Sequence, residues 1–175
     1  MASKTISFTL DPMEISRAIA EMEAYKQDFE SKLRRVRELI GERIWWSAQN
    51  GFKSAVVSDV IAGPQVANDV TVTIEHNDDM TVIIADGEEA VFIEFGAGVY
   101  HNGAAGSSPH PWGAENGYLI GEYGKGHGKR NVWALPGSTK QSPNLTHGTP
   151  AAMPMYLGLM EGIKEIESIV RGVFG

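Results

Sequence analysis

Apolar residues recur every three or four positions at Ile15, Ile19, Met22, Tyr25, Phe29, Leu33, Val36, Ile40, Ile44 and Ala48. That spacing puts them on one face of an α-helix. Asp11-Pro12-Met13-Glu14 supplies the start: Asp11 as N-cap, Pro12 at the first helical position, and Glu14 three residues beyond the cap. The pattern predicts a helix over 12–52, about 60 Å long at 1.5 Å per residue. Such a helix outreaches a small domain, so part of its stripe is expected to pack on a neighbouring subunit. Gly41 marks a place where it could be interrupted.

The period then changes. Gly63 and Pro64 signal a break, and residues 53–68 read as a linker. Val70, Val72 and Ile74 alternate with polar residues, as do Met80, Val82 and Ile84, and then Val91, Ile93 and Phe95. Three period-2 runs over 69–96 predict an antiparallel meander of three or four strands. Gly87-Glu88 fits a two-residue type II′ hairpin that sets Ile84 opposite Val91. A three-residue loop, Asn77-Asp78-Asp79, sets Ile74 opposite Val82 and Val72 opposite Ile84, uniting the apolar faces.

Residues 97–149 form a glycine-rich loop or arm. Tyr118-Leu119-Ile120 and Asn131-Val132-Trp133-Ala134-Leu135 flank a basic tip at 124–130 and read as a hairpin that could reach a neighbour. The C-terminal helix begins near Pro150 or Pro154. Met155, Leu159, Ile163, Ile166, Val170 and Val173 keep helical spacing, and Gly158 and Gly162 would allow close approach to the sheet or the first helix. The expected fold is α+β in one domain, 1–175: long N-terminal helix, antiparallel sheet, glycine-rich arm, and a helix over 150–174 packed on the sheet.

Composition narrows the function. The net charge is −7, a poor match for general nucleic-acid binding, which needs clustered Lys and Arg. Lys32, Arg34, Arg35 and Arg37 lie on the helix, but Glu30, Glu38 and Glu42 are near enough to compensate them. With no cysteine there are no disulfides, thiolate metal sites or cysteine nucleophiles. No apolar run is long enough to span a membrane, and the start lacks a signal-peptide core, so export is not expected and the lack of cysteine fits synthesis in a reducing cytoplasm.

Catalytic signatures are weak. Gly121 and Gly126 have P-loop spacing, but His127 stands where Lys is required, so no nucleotide is expected. His101, His110, His127 and His147 lack the i, i+4 pairing of helical metal ligands. Glu94 with these histidines defines a minor reading, a metal-dependent hydrolase. Polar loop residues serving turns and interfaces are the better account, so no catalytic residue, metal or cofactor is assigned. Of the adjacent Trp45 and Trp46, one is expected in the core and the other exposed. The candidate interface residues are Trp45, Trp46, Trp112, Lys125, Lys129, Arg130 and Trp133.

Val91-Phe92-Ile93-Glu94-Phe95-Gly96-Ala97-Gly98 resembles an element of the head–tail joining, or tail-completion, neck proteins of long-tailed bacteriophages. In that family a strand ends in Glu-Phe-Gly-Thr, a glycine-rich loop follows, and a Pro/Ala-rich lead-in, here 147–155, opens a closing helix. The element order is similar as well. Ala97 departs from the usual Thr, and the loop from 99 to 147 is long. The resemblance implies a non-enzymatic virion protein without cofactors, one subunit of a homo-oligomeric ring between portal-side and tail proteins. DNA would pass through the ring without being specifically bound. A tail terminator or minor capsid component is the structural alternative.

Overall fold

The computed structural model describes residues 5–7, 9–60, 63–66, 68–97, 108–118, 132–134 and 145–175. Helix α1 spans Pro12–Ser54. Asp11 caps it, accepting a hydrogen bond from the Met13 N–H at 2.8 Å. Glu14 does not turn back onto the cap residue. Its Oε2 accepts from the Thr9 N–H and hydroxyl at 2.8 and 2.7 Å, which holds its carboxyl below the usual Glu range. Gly41 does not interrupt the helix. A Cβ there would lie 2.5 Å from Thr81 Cγ2, so its role is to let β4 approach.

Residues 58–60 and 63–65 are strands, not a linker. Strands β1 (Ser58–Val60) and β2 (Gly63–Gln65) form an antiparallel hairpin with Val60 opposite Gly63. They belong to a small sheet of order β2-β1-β6-β5, in which β5 is Trp133–Ala134 and β6 is Leu145–Thr146. Most of the hairpin expected from 118–120 and 131–135 lies outside the described residues. Trp133 pairs with Thr146, while the Tyr118 carbonyl accepts from the Ser108 N–H.

Strands β3 (Thr71–His76) and β4 (Thr81–Asp86) form a separate two-stranded sheet. Ile74 faces Ile83 and Val72 faces Ala85, one residue away from the expected register. The cause is Asn77. Its Oδ1 accepts from the N–H groups of Asp79 and Met80, and its own N–H bonds the Met80 carbonyl, which stretches the turn to four residues. A one-residue slip exchanges the faces. Ile83 and Ala85 therefore turn toward the core, and Ile84 is exposed.

The third strand of the expected meander is a helix, α2, Ala90–Phe95. Gly87, at φ +149°, leads into a turn rather than a hairpin. Ala90, Ile93 and Glu94 are buried, which is helical spacing. Six residues are too few for apolar periodicity to separate helix from strand. Here the tertiary bonds of Glu94 decide the matter.

Helix α3, Pro154–Phe174, runs antiparallel to α1. Gly158 and Gly162 allow the approach: their Cβ positions would lie 2.9 Å from the Ile44 carbonyl oxygen and 2.4 Å from Ile44 Cγ1. Arg43 locks the pair by reaching Glu161 and Glu165 at 2.9 and 2.8 Å. The core lies where α1, α2 and the β3–β4 sheet meet, around Ala48, Phe52, Ala55, Val72, Ala90 and Ile93, with Met155 of α3 packed against it.

One local feature has a pH signature. Glu89 precedes α2, and its carboxyl is raised above the usual Glu range, first by a hydrogen bond shared with the Asp69 carboxyl and then by burial. Folding therefore favours the protonated form. The contribution is full below the ordinary Glu value of 4.5 and is lost as pH rises through the higher folded value. Glu89→Gln should consequently gain on the wild type between pH 4 and pH 7.5, by about 0.5 kcal/mol near solvent. Urea unfolding at both pH values measures this. A gap that is constant with pH would contradict it.

Candidate functional site

Two features stand out: a buried carboxylate–imidazole pair at the start of α3, and the exposed first half of α1.

The first is built around Glu94. Helix α3 has no side-chain cap of its own. Its N-cap is Met153, held at φ 55° in the left-handed region, and its first helical residue is Pro154. The open N–H groups beyond need an acceptor. Glu94, projecting from α2, supplies it: Oε2 accepts from the Met155 N–H at 2.8 Å and Oε1 from the Tyr156 N–H at 2.9 Å. A carboxylate suits the positive end of the helix dipole. The backbone reinforces the joint, because the Ile93 carbonyl accepts from the N–H groups of Ala152 and Met153.

His110 completes this pair. Its Nε2 lies 3.0 Å from Glu94 Oε1, and its Nδ1 lies 3.0 Å from the Trp112 backbone nitrogen. Trp112 N–H can only donate, so Nδ1 is the acceptor and Nε2 carries the proton donated to Glu94. Both ring nitrogens are engaged, and both oxygens of Glu94 are engaged as well. The pair pins residues 108–118 against α2 and α3. Ser108 adds a hydroxyl bond to the Phe95 carbonyl. Phe95 stacks on Tyr118 at 4.1 Å between ring centroids, and Trp112 meets Tyr156 edge-on at 5.2 Å. Trp112 remains half exposed, its orientation fixed from beneath.

Chemically this is a staple, with every donor matched to an acceptor. Among the described residues no group of three or more His, Asp or Glu side chains could hold a metal ion. His101 and His127 lie outside the described residues. No helix among the described residues is long and apolar enough to cross a membrane.

The second feature is on α1. Its ring contact Phe29–Phe174, 5.6 Å between centroids, marks where α3 ends. Residues 12–28 project past that point by about 25 Å. Along them Ile19, Met22 and Tyr25 are 51, 60 and 50% exposed, although they continue the stripe that Ile40 and Ile44 present to α3. Residues 5–7 lie beside Glu14, Arg17, Ala18 and Glu21, and Ala18 is buried.

The sequence-predicted interface residues separate. Trp45 turns inward: its Nε1–H donates to the Val72 carbonyl at 2.8 Å and its ring packs on the core. Trp46 turns outward, with the Arg43 guanidinium 5.5 Å from the ring centre. One tryptophan is thus inside and one outside, as expected. Trp112 belongs to the aromatic cluster, and Trp133 enters β5. Lys125, Lys129 and Arg130 lie outside the described residues. The basic run on α1 serves the fold. Arg35 pairs with Glu38 and Glu42, Lys32 with Asp28, and Arg34 with Asp78, while Arg37 donates to the carbonyls of Asn77 and Asp78.

Sequence reasoning set Glu94 at a strand end and did not link it to His110 in a structural role. The Pro154-initiated helix without its own capping side chain was the signal available. No family model, curated protein or solved structure matches the chain.

Proposed function

We propose that this protein is a structural subunit of the head–tail neck of a long-tailed bacteriophage, made in the host cytoplasm and working in the virion as one copy in a ring. The observation that carries an assembly role is the first half of α1, which extends an apolar stripe beyond its own fold. A contiguous exposed apolar stripe rimmed by charged residues supports an interaction site. The assignment to the neck rests on the Glu94-Phe95-Gly96 element, the element order and the resemblance they carry. In this fold Glu94 and Phe95 join α2, residues 108–118 and α3 into one unit, which gives those residue types a structural purpose.

A ring contact is heterologous: patch and counter-patch differ, and the rotation must close. Portal-side and tail proteins would be the axial neighbours. A net charge of −7 suits a conduit that passes DNA without holding it. A tail terminator or minor capsid position is the structural alternative, and density for the assembled particle separates the three. The hydrolase reading has nothing to work with at Glu94 and His110, because their polar atoms already bond one another and the backbone.

Sedimentation of the purified chain, alone and with neck-deficient heads of a long-tailed phage, is the test. Closed oligomers, or incorporation that appears only with heads, are the expected outcome. A chain that stays monomeric and never joins particles would remove the proposal.

A further inference from the structure

We infer that the projecting half of α1 pairs with the same segment of a second copy of this chain, parallel and in register. This rests on the ring reading and names a contact between neighbouring copies.

Helical geometry fixes the seam. With Ile15, Met22 and Phe29 in one heptad position and Ala18 and Tyr25 in the other, Glu14, Glu21 and Asp28 form one edge of the seam, while Ile19 and Lys26 form the opposite edge. One edge is wholly acidic and the other carries the cation. In a parallel pair these unlike edges meet, so Glu21 of one copy faces Lys26 of the next, five residues on. In an antiparallel pair like edges meet, bringing Glu21 against Asp28 or Glu21 in a low-salt repulsion. Charge therefore selects the parallel arrangement. Two parallel copies alone close as a two-fold pair, but three or more parallel copies about an axis repeat the contact of acidic edge with Lys26 edge between every pair of neighbours, which an antiparallel pair cannot do.

These charges are free to be used. Arg17–Glu21 and Lys26–Glu30 are 3.7 Å apart within α1, and all four side chains are at least 43% exposed. Such loose pairs contribute little. The seam is also continuous with a helix–helix contact the chain already makes, because Phe29, Ile40 and Ile44 of the same stripe meet α3. Residues 5–7 lie over Ala18, so the open part runs from Ile19 to Tyr25. So short a seam implies weak association that builds up at high concentration or on a partner ring.

The test is self-association measured by sedimentation over a concentration series at low salt, with circular dichroism as the check on folding. Glu21→Lys and Lys26→Glu should each weaken association roughly tenfold, and mixing the two variants should restore it, because unlike edges then meet again. Met22→Asp, at an exposed position, should abolish association without unfolding the chain. If Glu21→Lys strengthens association the pairing is antiparallel, and if neither charge reversal changes it another surface is in use. Either result overturns the inference. If Met22→Asp, still folded, joins neck-deficient heads as well as the wild type does, the seam is wrong and the neck reading stands.

Discussion

Replacing Glu94 with alanine is expected to cost about 4 kcal/mol of folding stability, a large share of the 5–15 kcal/mol typical of a small protein. Three donors lose their acceptor at once: the N–H groups of Met155 and Tyr156 and Nε2–H of His110. Each bond is charge-assisted, and leaving a buried donor unmatched costs roughly 1–3 kcal/mol. The site is buried, so water replaces the carboxylate poorly. The loss should spread. Without its cap the first turn of α3 frays, and Met153 is left in its left-handed conformation with less to hold it there. Residues 108–118 would lose their main anchor. Glu94→Gln keeps the shape and one acceptor oxygen but points an amide N–H₂ at N–H donors, so a loss of about 2 kcal/mol is expected. Urea unfolding gives these values, and hydrogen exchange at Met155 and Tyr156 reports the fraying directly. A change under 1 kcal/mol for the alanine variant, with protection at those amides intact, would refute the capping role.

What could be read from the sequence divides along a physical line. Helix α1 was legible because its signals agree over 43 residues: cap, proline, period and length. Helix α3 was legible in the same way, and its glycines marked a close approach to the sheet or the first helix, of which α1 is the partner they meet. Where the signal was short it misled. Val91-Phe92-Ile93-Glu94-Phe95 alternates as a strand should, yet the buried set is Ala90, Ile93 and Glu94. The Glu94 carboxylate reaches α3 from that helical turn, and the partners that reward it lie 61 and 62 residues away. No local pattern contains such information.

The β3–β4 register failed for a related reason. Both faces of β4 carry aliphatic residues, Val82 and Ile84 on one and Ile83 and Ala85 on the other, so matching apolar faces does not select one register. The side chain of Asn77 does, by claiming two turn N–H groups. The Glu94–His110 pair was half visible. Both residues were noted as chemical candidates, but their spacing gave no reason to join them, and His110 Nδ1 is oriented by a backbone N–H only two residues on. The exposed stripe, by contrast, was anticipated from helix length alone, since a helix of that reach cannot be covered by a shorter α3.

Two glycines of α3 should respond to the same substitution with opposite signs. Gly158 sits where a Cβ would lie 2.9 Å from the Ile44 carbonyl oxygen and 3.2 Å from the Ala48 nitrogen, both α1 backbone. Backbone cannot rotate aside, so any side chain there separates the helices. Alanine gains about 1 kcal/mol in helix propensity but forces an overpacking cost of roughly 2–3 kcal/mol. Gly158→Ala should therefore lose about 1–2 kcal/mol net. Gly158→Val, larger and β-branched, should lose about 4 kcal/mol and also weaken the Arg43 bridge to Glu161 and Glu165 that spans the same two helices. Gly172 lies on the same helix, exposed, with nothing within 4 Å of its Cβ position. There only the propensity gain applies, and Gly172→Ala should stabilise by roughly 0.5–1 kcal/mol. Chemical unfolding of the three variants decides it. If Gly158→Ala stabilises as Gly172→Ala does, the two helices are not in the close contact that α3 is built to make.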